Sequence, residues 1–498
     1  MLYFLGNELP EGTDTFVPQS IDLALILQKY QTAATVLTMN YDRLLKRTPV
    51  NGAAQQLVRN VWDELQQVGQ LSKRVLTFRD LHLGRQQDWQ INMATQEYHR
   101  DGQRLAVVHT IIDSPQLDYV DYYAPGDIVR KRDFYDRRGF KSVSQYLNTV
   151  GDVQQEIYWD VHGAAVLEQY FTPVPHHVAR GGMVILPALA GREVVCTDMA
   201  HAMGVLLSDM ITRDGHLAQS TVVAQDTPVV LHALAAMTTP RRLVFAHHSS
   251  LLHRTQTDSL WDHMQTLLHD FSGVIVPDAV IATRWAARTG EQLMVAQFPY
   301  HAEFPTGEIP PLVKRPHGTV LAYLGEDDQG AGLRVLMNLF TTLRQQVAGI
   351  RLTIYQPHLA STPVVTPANE QVGSVQFLTA PQQWQAALTT NQIFVTVDPY
   401  PAPAFMISAL AYGLGIVAAT DHPDAVNPFI RRGENGTVVA AGQNTLMTRA
   451  IQDLLHHKKS LNTAQKTSQT IAQQYTEDAL VRQWQNLGGG DQNEDQES

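Results

Sequence analysis

Cysteine is almost missing from this chain: Cys196 stands alone among 498 residues. No intrachain disulfide framework can form, which fits a reducing cytoplasm. Positive charge is scarce too, with 37 Lys and Arg against 48 Asp and Glu, for a net charge of −11. Binding a phosphate backbone needs a concentrated basic surface, so no nucleic-acid partner is expected. No uncharged apolar run approaches the ~18–20 residues of a membrane-spanning helix. The chain is therefore expected in the cytoplasm, with membrane contact limited to a peripheral place on the inner face of the cell membrane. The opening MLYFLGNELPEG lacks the basic flank and apolar length of a signal peptide. The loop after it holds no G-x-G-x-x-G, so a dinucleotide fingerprint is absent and no cofactor is expected.

What is present is an α/β pattern. Hydrophobic residues make up 44% and charged residues 17%, as in soluble globular proteins, and the length suits two or three domains. Met1 to Gly6 reads as a short apolar strand. Ser20 to Lys29 reads as a helix with Ser20 at its N-cap, and Ala33 to Met39 as a second buried strand. Asn51 to Leu71 reads as one further helix. Strand, polar loop, helix and strand in this order open an α/β domain, which places ligands beyond the strand carboxyl ends.

From Val75 to Thr172 the texture changes to the period-2 alternation of strands. Gly126, Gly139, Gly151 and Gly163 recur at spacings of 13, 12 and 12, and the last three each close a D/N-x-x-G. Glycine supplies the positive φ of a tight hairpin, and Asp or Asn can bond the turn backbone. The result expected is an antiparallel meander, with Asp101-Gly102 as an earlier turn. Such a sheet leaves edges and a half-apolar face to be covered. Its aromatic residues, Phe134, Tyr135, Phe140 and Tyr146 among them, are candidates for partner contact as well as for core.

The α/β pattern returns after Pro173, with Met183 to Pro187, Ser220 to Ala224, Arg242 to Ala246 and Gly273 to Pro277 as strands. Gln297 to Gly318 carries five prolines in 22 residues, with Lys314 and Arg315 read as exposed; it reads as a linker. Thr319 to Leu324 opens a second α/β domain containing the strands Arg351 to Tyr355, Ser374 to Leu378, Ile393 to Val397 and Ile416 to Ala419. The expected division is an N-terminal Rossmann-like domain over 1–74 and 173–296, a β-meander insert over 75–172, a linker over 297–318, a C-terminal Rossmann-like domain over 319–487, and a disordered acidic tail over 488–498.

Three stretches carry a resemblance. Ser408 to Ala418, S-A-L-A-Y-G-L-G-I-V-A, is similar to the E-A-x-x-x-G-x-P-V-V-A of retaining two-domain glycosyltransferases. Val320 to Tyr355 resembles their V-x-R-L-x-x-E-K, helix and following strand, and Arg431 to Gly436 resembles the loop that closes their nucleotide-sugar domain. The meander segment Arg132 to Tyr146 resembles the insert of the bacterial accessory-secretion glycosyltransferase pair and of poly(glycerol-phosphate) α-glucosyltransferases. The resemblance implies a GT-B fold of family 4 type: an α/β chain with two facing Rossmann-like domains and the meander inserted in the first. In the pair, one subunit is catalytic and the other stabilises it, chaperone-like, and binds the acceptor protein.

The departures from the family pattern fall on its chemistry. The arginine and lysine that hold the donor diphosphate are matched by Tyr323 and Asp328, and the two glutamates seven residues apart by Tyr400 and Ser408. An anion in place of a cation reverses a Coulomb term of ~4 kcal/mol for a pair at 4 Å in an effective dielectric of 20. Gln356 stands where the family has glycine, and Pro399, Pro401 and Pro403 stiffen the loop that would follow the diphosphate. These losses imply a non-catalytic subunit, a pseudoenzyme. Its expected partners are a catalytic glycosyltransferase paralogue and a Ser/Thr-rich acceptor protein, in O-glycosylation of UDP-N-acetylglucosamine type. The alternative is an active poly(glycerol-phosphate) α-glucosyltransferase-like enzyme with a degenerate donor site. His247, at a strand end, and Ser20 and Asp22, at the first helix, are the candidates for an acceptor cleft. His247, His248 and His253 raise a metal, but the retaining family needs none and no Asp-x-Asp occurs, so no metal is expected.

Overall fold

Two parallel sheets and one antiparallel sheet organise the chain in the computed structural model. It describes residues 1–7, 16–44, 52–71, 74–81, 83, 88–172, 180–239, 241–246, 258–277, 279–324, 330–356, 374–398, 402–423 and 426–488. The chain divides into two compact units, Met1–Ile275 with the end from Leu487, and Val276–Asn486.

The first unit holds a parallel sheet whose strands run, in spatial order, Gly273–Val276, Arg241–Phe245, Thr221–Gln225, Leu2–Gly6, Ala34–Thr38 and Val58–Asn60. The second holds Val375–Leu378, Arg351–Tyr355, Thr319–Tyr323, Ile393–Thr396, Gly415–Ala419 and Gly436–Val439, all parallel. Leu2–Gly6, Ala34–Thr38, Thr319–Tyr323, Ile393–Thr396 and Gly415–Ala419 are buried along their whole length. Continuous apolar runs of this kind suit strands covered on both faces. Both sheets start at the centre, grow outward on one side and then on the other. That order creates a switch point beside the first strand of each, where α/β folds bind ligands.

The antiparallel sheet has ten strands, each paired with its sequence neighbours, from Gln90–Asn92 to Arg192–Cys196. The expected turns are present: Gly126, Gly139, Gly151 and Gly163 have φ of 85°, 101°, 93° and 84°. Gly139 is also held by contact, since a Cβ there would lie 2.0 Å from the Arg74 carbonyl oxygen. The sheet runs past residue 172. Arg180–Leu189 and Arg192–Cys196 pair onto it, so Met183 to Pro187 is antiparallel rather than part of the α/β layer. A short apolar strand reads alike in either setting, and only its partner decides.

One face of this sheet lies on the α/β part of its own unit. Tyr158 packs on Trp62 with ring centroids 4.6 Å apart, Gln66 Nε2 donates to the Trp159 carbonyl at 2.8 Å, and Arg138 pairs with Asp63 at 3.0 Å. Part of the other face is covered by the segment around Leu76 to Trp89, which joins Phe78 to Tyr98, Ala106, Val108, Val120 and Tyr135 in one apolar cluster.

Three local readings are corrected. Residues 52–71 form not one helix but a 3-10 turn, the strand Val58–Asn60, the helix Val61–Leu65 and a second 3-10 turn. Asn60 makes the break: its side chain caps the helix while bonding the Thr38 and Asn40 carbonyls. The first helix starts at Phe16, so Ser20 lies inside it, not at its cap, and donates to the Phe16 carbonyl at 2.7 Å. Arg315 is buried, not exposed. Its guanidinium donates to the carbonyls of Pro310, Leu388, Asn391 and Tyr412. Leu388, Asn391 and Tyr412 lie at helix C-terminal ends, whose orphan carbonyls attract a cation. Burial pulls the Arg315 pKa down to about 10, which still leaves it charged at neutral pH.

Candidate functional site

At the switch point of the second sheet, Tyr323 ends the first strand, Tyr355 ends its neighbour, and the helix Pro403–Ala411 begins opposite. A helix N-terminus beside strand carboxyl ends is a natural place for a phosphate. Here it carries aromatic rings. Phe405, in the first helical turn, stacks on Tyr323 with centroids 3.8 Å apart and planes 19° apart. Trp384 meets Phe405 edge-on at 5.2 Å and lies 5.1 Å from Tyr355, which is itself 5.8 Å from Phe405. Four rings thus close around one another where a diphosphate would need cations and open backbone.

Ser408 is the described residue that the motif resemblance matches to a glutamate. It is buried, and its hydroxyl donates to the Ala404 carbonyl at 2.6 Å while accepting the Glu303 N–H at 2.8 Å. The hydroxyl is committed to the unit's own backbone. The Gln356 N–H continues the strand ladder to the Leu378 carbonyl at 2.9 Å, and its buried Oε1 has no hydrogen-bond partner among the described residues. Asp328 and Tyr400, the other two matched positions, lie outside the described residues, as does His247.

The remaining candidates are separated. Ser20 is buried under its own helix backbone bond, and Asp22 lies two residues further along that helix. On the meander, Tyr135 and Phe140 are buried within the chain, whereas Phe134 and Tyr146 are half-buried. The Arg43 guanidinium sits over the Phe134 ring at 4.6 Å. One pair was not singled out from the sequence. Asp226 follows the strand Thr221–Gln225 at the first sheet's switch point, and both its oxygens lie 3.0 Å from His263 Nε2. The signal available was an acid directly after a buried strand; its histidine partner sits 37 positions on and no spacing rule reaches it. Among the described residues no group of three or more His, Cys, Asp or Glu could hold a metal ion. A cleft of about 1030 Å³ lies elsewhere in the first unit, lined by residues of 58–69, 160–166, 186–190 and 206–213. Its rim arginines are already paired, Arg59 with Glu64 and Asp214, and Arg213 with Asp209.

No curated protein matches the sequence. Three solved structures are similar in fold across 98% of this chain and of their own: the GtfA/B complex at 13% identity and a TM-score of 0.60, TarM at 11% and 0.58, and accessory secretory protein 1,2 and 3 of Streptococcus pneumoniae at 12% and 0.50. They establish the GT-B architecture for this chain. Residues 25–228, which contain the whole antiparallel sheet, match the family model of accessory Sec system protein 1, and the resemblance to bacterial accessory-secretion proteins read from the sequence stands.

Proposed function

We propose that this chain is a non-catalytic GT-B component of a bacterial accessory-secretion glycosylation assembly. In it the second unit retains the glycosyltransferase frame without donor chemistry. The first unit, through its antiparallel sheet, meets a catalytic glycosyltransferase partner, stabilises it, and helps hold a Ser/Thr-rich acceptor in the cytoplasm. The observation that carries this reading is the Tyr323–Phe405 stack at 3.8 Å. It fills the helix N-terminus that should cradle a diphosphate, and Ser408 beside it offers no carboxylate. Support for a heteromer comes from the likeness to the GtfA/B complex and to accessory secretory protein 1,2 and 3, both solved as assemblies. Among the described residues no helix is long and apolar enough to cross a membrane.

Titration of the full chain with UDP, UDP-glucose and UDP-N-acetylglucosamine by calorimetry tests this. No saturable heat is expected. Binding in the micromolar range overturns the reading and favours the second one, an active α-glucosyltransferase-like enzyme, to which the likeness to TarM over 98% of both chains lends weight.

A further inference from the structure

The strand Val58–Asn60 ends the parallel sheet of the first unit. It pairs with Ala34–Thr38 on one side, and among the described residues no strand follows on the other. The register fixes which of its backbone groups are used. Val36 is paired with Val58, and the Val36 N–H donates to the Leu57 carbonyl at 2.8 Å. In a parallel ladder such a residue bonds the two neighbours of its partner, here Leu57 and Arg59, and the partner's own groups turn the other way. The N–H and C=O of Val58 and the N–H of Asn60 are therefore directed off the open edge. An edge of this kind is a template for one more strand.

Val58, Arg59 and Asn60 all line the cleft of about 1030 Å³, so the edge opens into a groove. The antiparallel sheet lends that groove small side chains, Ala164, Ala165, Ala188 and Ala190, which leave room for a chain to come close. Leu186, Leu206 and Met210, all buried, make its lining partly apolar. Each of the six charged side chains in the lining is already matched. Arg59 pairs with Glu64 at 3.0 Å and with Asp214 at 2.7 Å, and Arg213 with Asp209 at 3.0 Å. Asp63 pairs with Arg138 at 3.0 Å. Asp160 accepts the backbone N–H groups of His162 and Ala164 at 2.9 and 2.8 Å, and Gln67 Nε2 at 3.1 Å. A charged ligand would have to compete with these bonds.

We infer that this cleft takes an extended, uncharged polypeptide segment with small side chains, which adds to Val58–Asn60 as a further strand. In recognition of this type main-chain hydrogen bonds to the edge give the affinity, and pockets along the groove select side chains. The open backbone groups call for a partner backbone, the alanines for room-sparing side chains, and the neutralised rim for a segment without net charge. A Ser/Thr-rich acceptor has this chemistry. Naming it as the source of the segment rests on the proposed function; the preference for an extended neutral chain rests on the cleft alone.

The test follows a fluorescently labelled peptide of alternating Ser and Thr by anisotropy with the full chain. A length of about eight residues, at ~3.3 Å each, overruns the three of the edge. Saturable binding is expected, at least about tenfold tighter than that of peptides with Lys or with Glu at every second position. A strand offers an edge the groups of alternate residues only, so N-methylation of every second residue should cost no more than about threefold, and N-methylation of all residues about tenfold or more. Amide exchange at Val58 and Asn60 should slow about tenfold or more on saturation, while Arg59, already within the ladder, should change little. Val58→Pro removes an outward N–H and keeps the ladder bonds, and Ala188→Trp fills the cleft; each should weaken binding about tenfold or more. If Val58→Pro does not fold, Ala188→Trp, at an exposed position, carries the test. No saturable binding of the Ser/Thr peptide overturns the inference. So does equal affinity of the fully N-methylated peptide or of the charged peptides, or unchanged affinity in the folded variants. None of these outcomes bears on UDP-sugar binding, which tests the reading of the donor corner separately.

Discussion

Aromatic residues gather in two places in this protein and do opposite things there. At the strand ends of the second unit, Tyr323, Phe405, Tyr355 and Trp384 pack against one another, ring on ring. On the half-exposed face of the antiparallel sheet, Tyr122, Tyr146 and Tyr170 are kept apart by Lys131 and Gln155. Rings that meet each other close a site, as Tyr323 and Phe405 do; in the sheet, Tyr122 packs on the covered cluster and Lys131 lies 5.0 Å from the Tyr122 ring and 5.8 Å from the Tyr146 ring. The sequence resemblance directs attention to the first place, whereas the second belongs to the sheet that the accessory Sec family model spans.

The sharpest way to break the contrast is to unpin the sheet. Arg138 binds Asp136 through two nitrogens at 2.8 Å and reaches Asp63 on the helix Val61–Leu65 at 3.0 Å. Asp136 is only 1% exposed. Arg138→Met leaves a buried carboxylate without its cation, which costs about 3–5 kcal/mol. Urea unfolding followed by near-UV signal should show that loss. A change below about 1 kcal/mol would mean that this pair does not fasten the sheet to its unit. The aromatic corner should respond less. Phe405 is partly buried, and Phe405→Ala is expected to cost about 2 kcal/mol, below the ~3–5 of a fully buried ring. The variant should still take up no UDP-sugar in calorimetry, because opening the stack restores neither a cation nor a carboxylate. Micromolar binding to Phe405→Ala would show that the rings alone block a competent site.

Much of this contrast was legible before the fold. The parallel strands announced themselves as short, wholly apolar runs, and the meander by glycine turns at a near-constant interval, because both signals are local. That Tyr323 and Ser408 stand where the resemblance expects charged residues was likewise read from the motifs alone. What could not be read was how the side chains pack at that corner. Phe405 sits in a stretch that reads simply as a small-residue helix, and its stacking on Tyr323 joins residues 82 positions apart. Arg315 looked like a linker cation because its acceptors are backbone carbonyls, which leave no trace in residue types. The sheet's end at Cys196 rather than Thr172 was hidden for a related reason: pairing is non-local, and Arg180–Leu189 has the same composition as a parallel strand. Removing residues 75–172 would leave that strand and Arg192–Cys196 without the sheet they extend, so a test of the meander must take all ten strands.

The smallest effect concerns how the first part of the sheet keeps its cover. Asp80 accepts the Thr77 backbone N–H at 2.8 Å, the Thr77 hydroxyl at 2.8 Å and Arg74 at 2.9 Å. The Thr77 backbone bond, with help from that hydroxyl and the arginine, holds its pKa down to about 2 from 3.8. A carboxylate whose folded pKa lies below its unfolded value contributes fully above the unfolded value and loses that contribution as pH falls through the folded one. Asp80 should therefore help fix the turn beneath Phe78 at neutral pH and release it between about pH 4 and pH 2. Amide exchange at Thr77 and the emission of Trp89, whose ring lies 6.0 Å from Tyr98, should both change across that window. In Asp80→Asn the Thr77 amide should already exchange fast at neutral pH and show no further acid step. The covered end of the sheet around Tyr98, Ala106 and Tyr122 would then loosen with acid in the natural chain, while the far end of the same row, at Tyr146 and Tyr170, should keep its exchange pattern. If both ends loosened together, the division of this face into a covered half and a half-exposed one would fail.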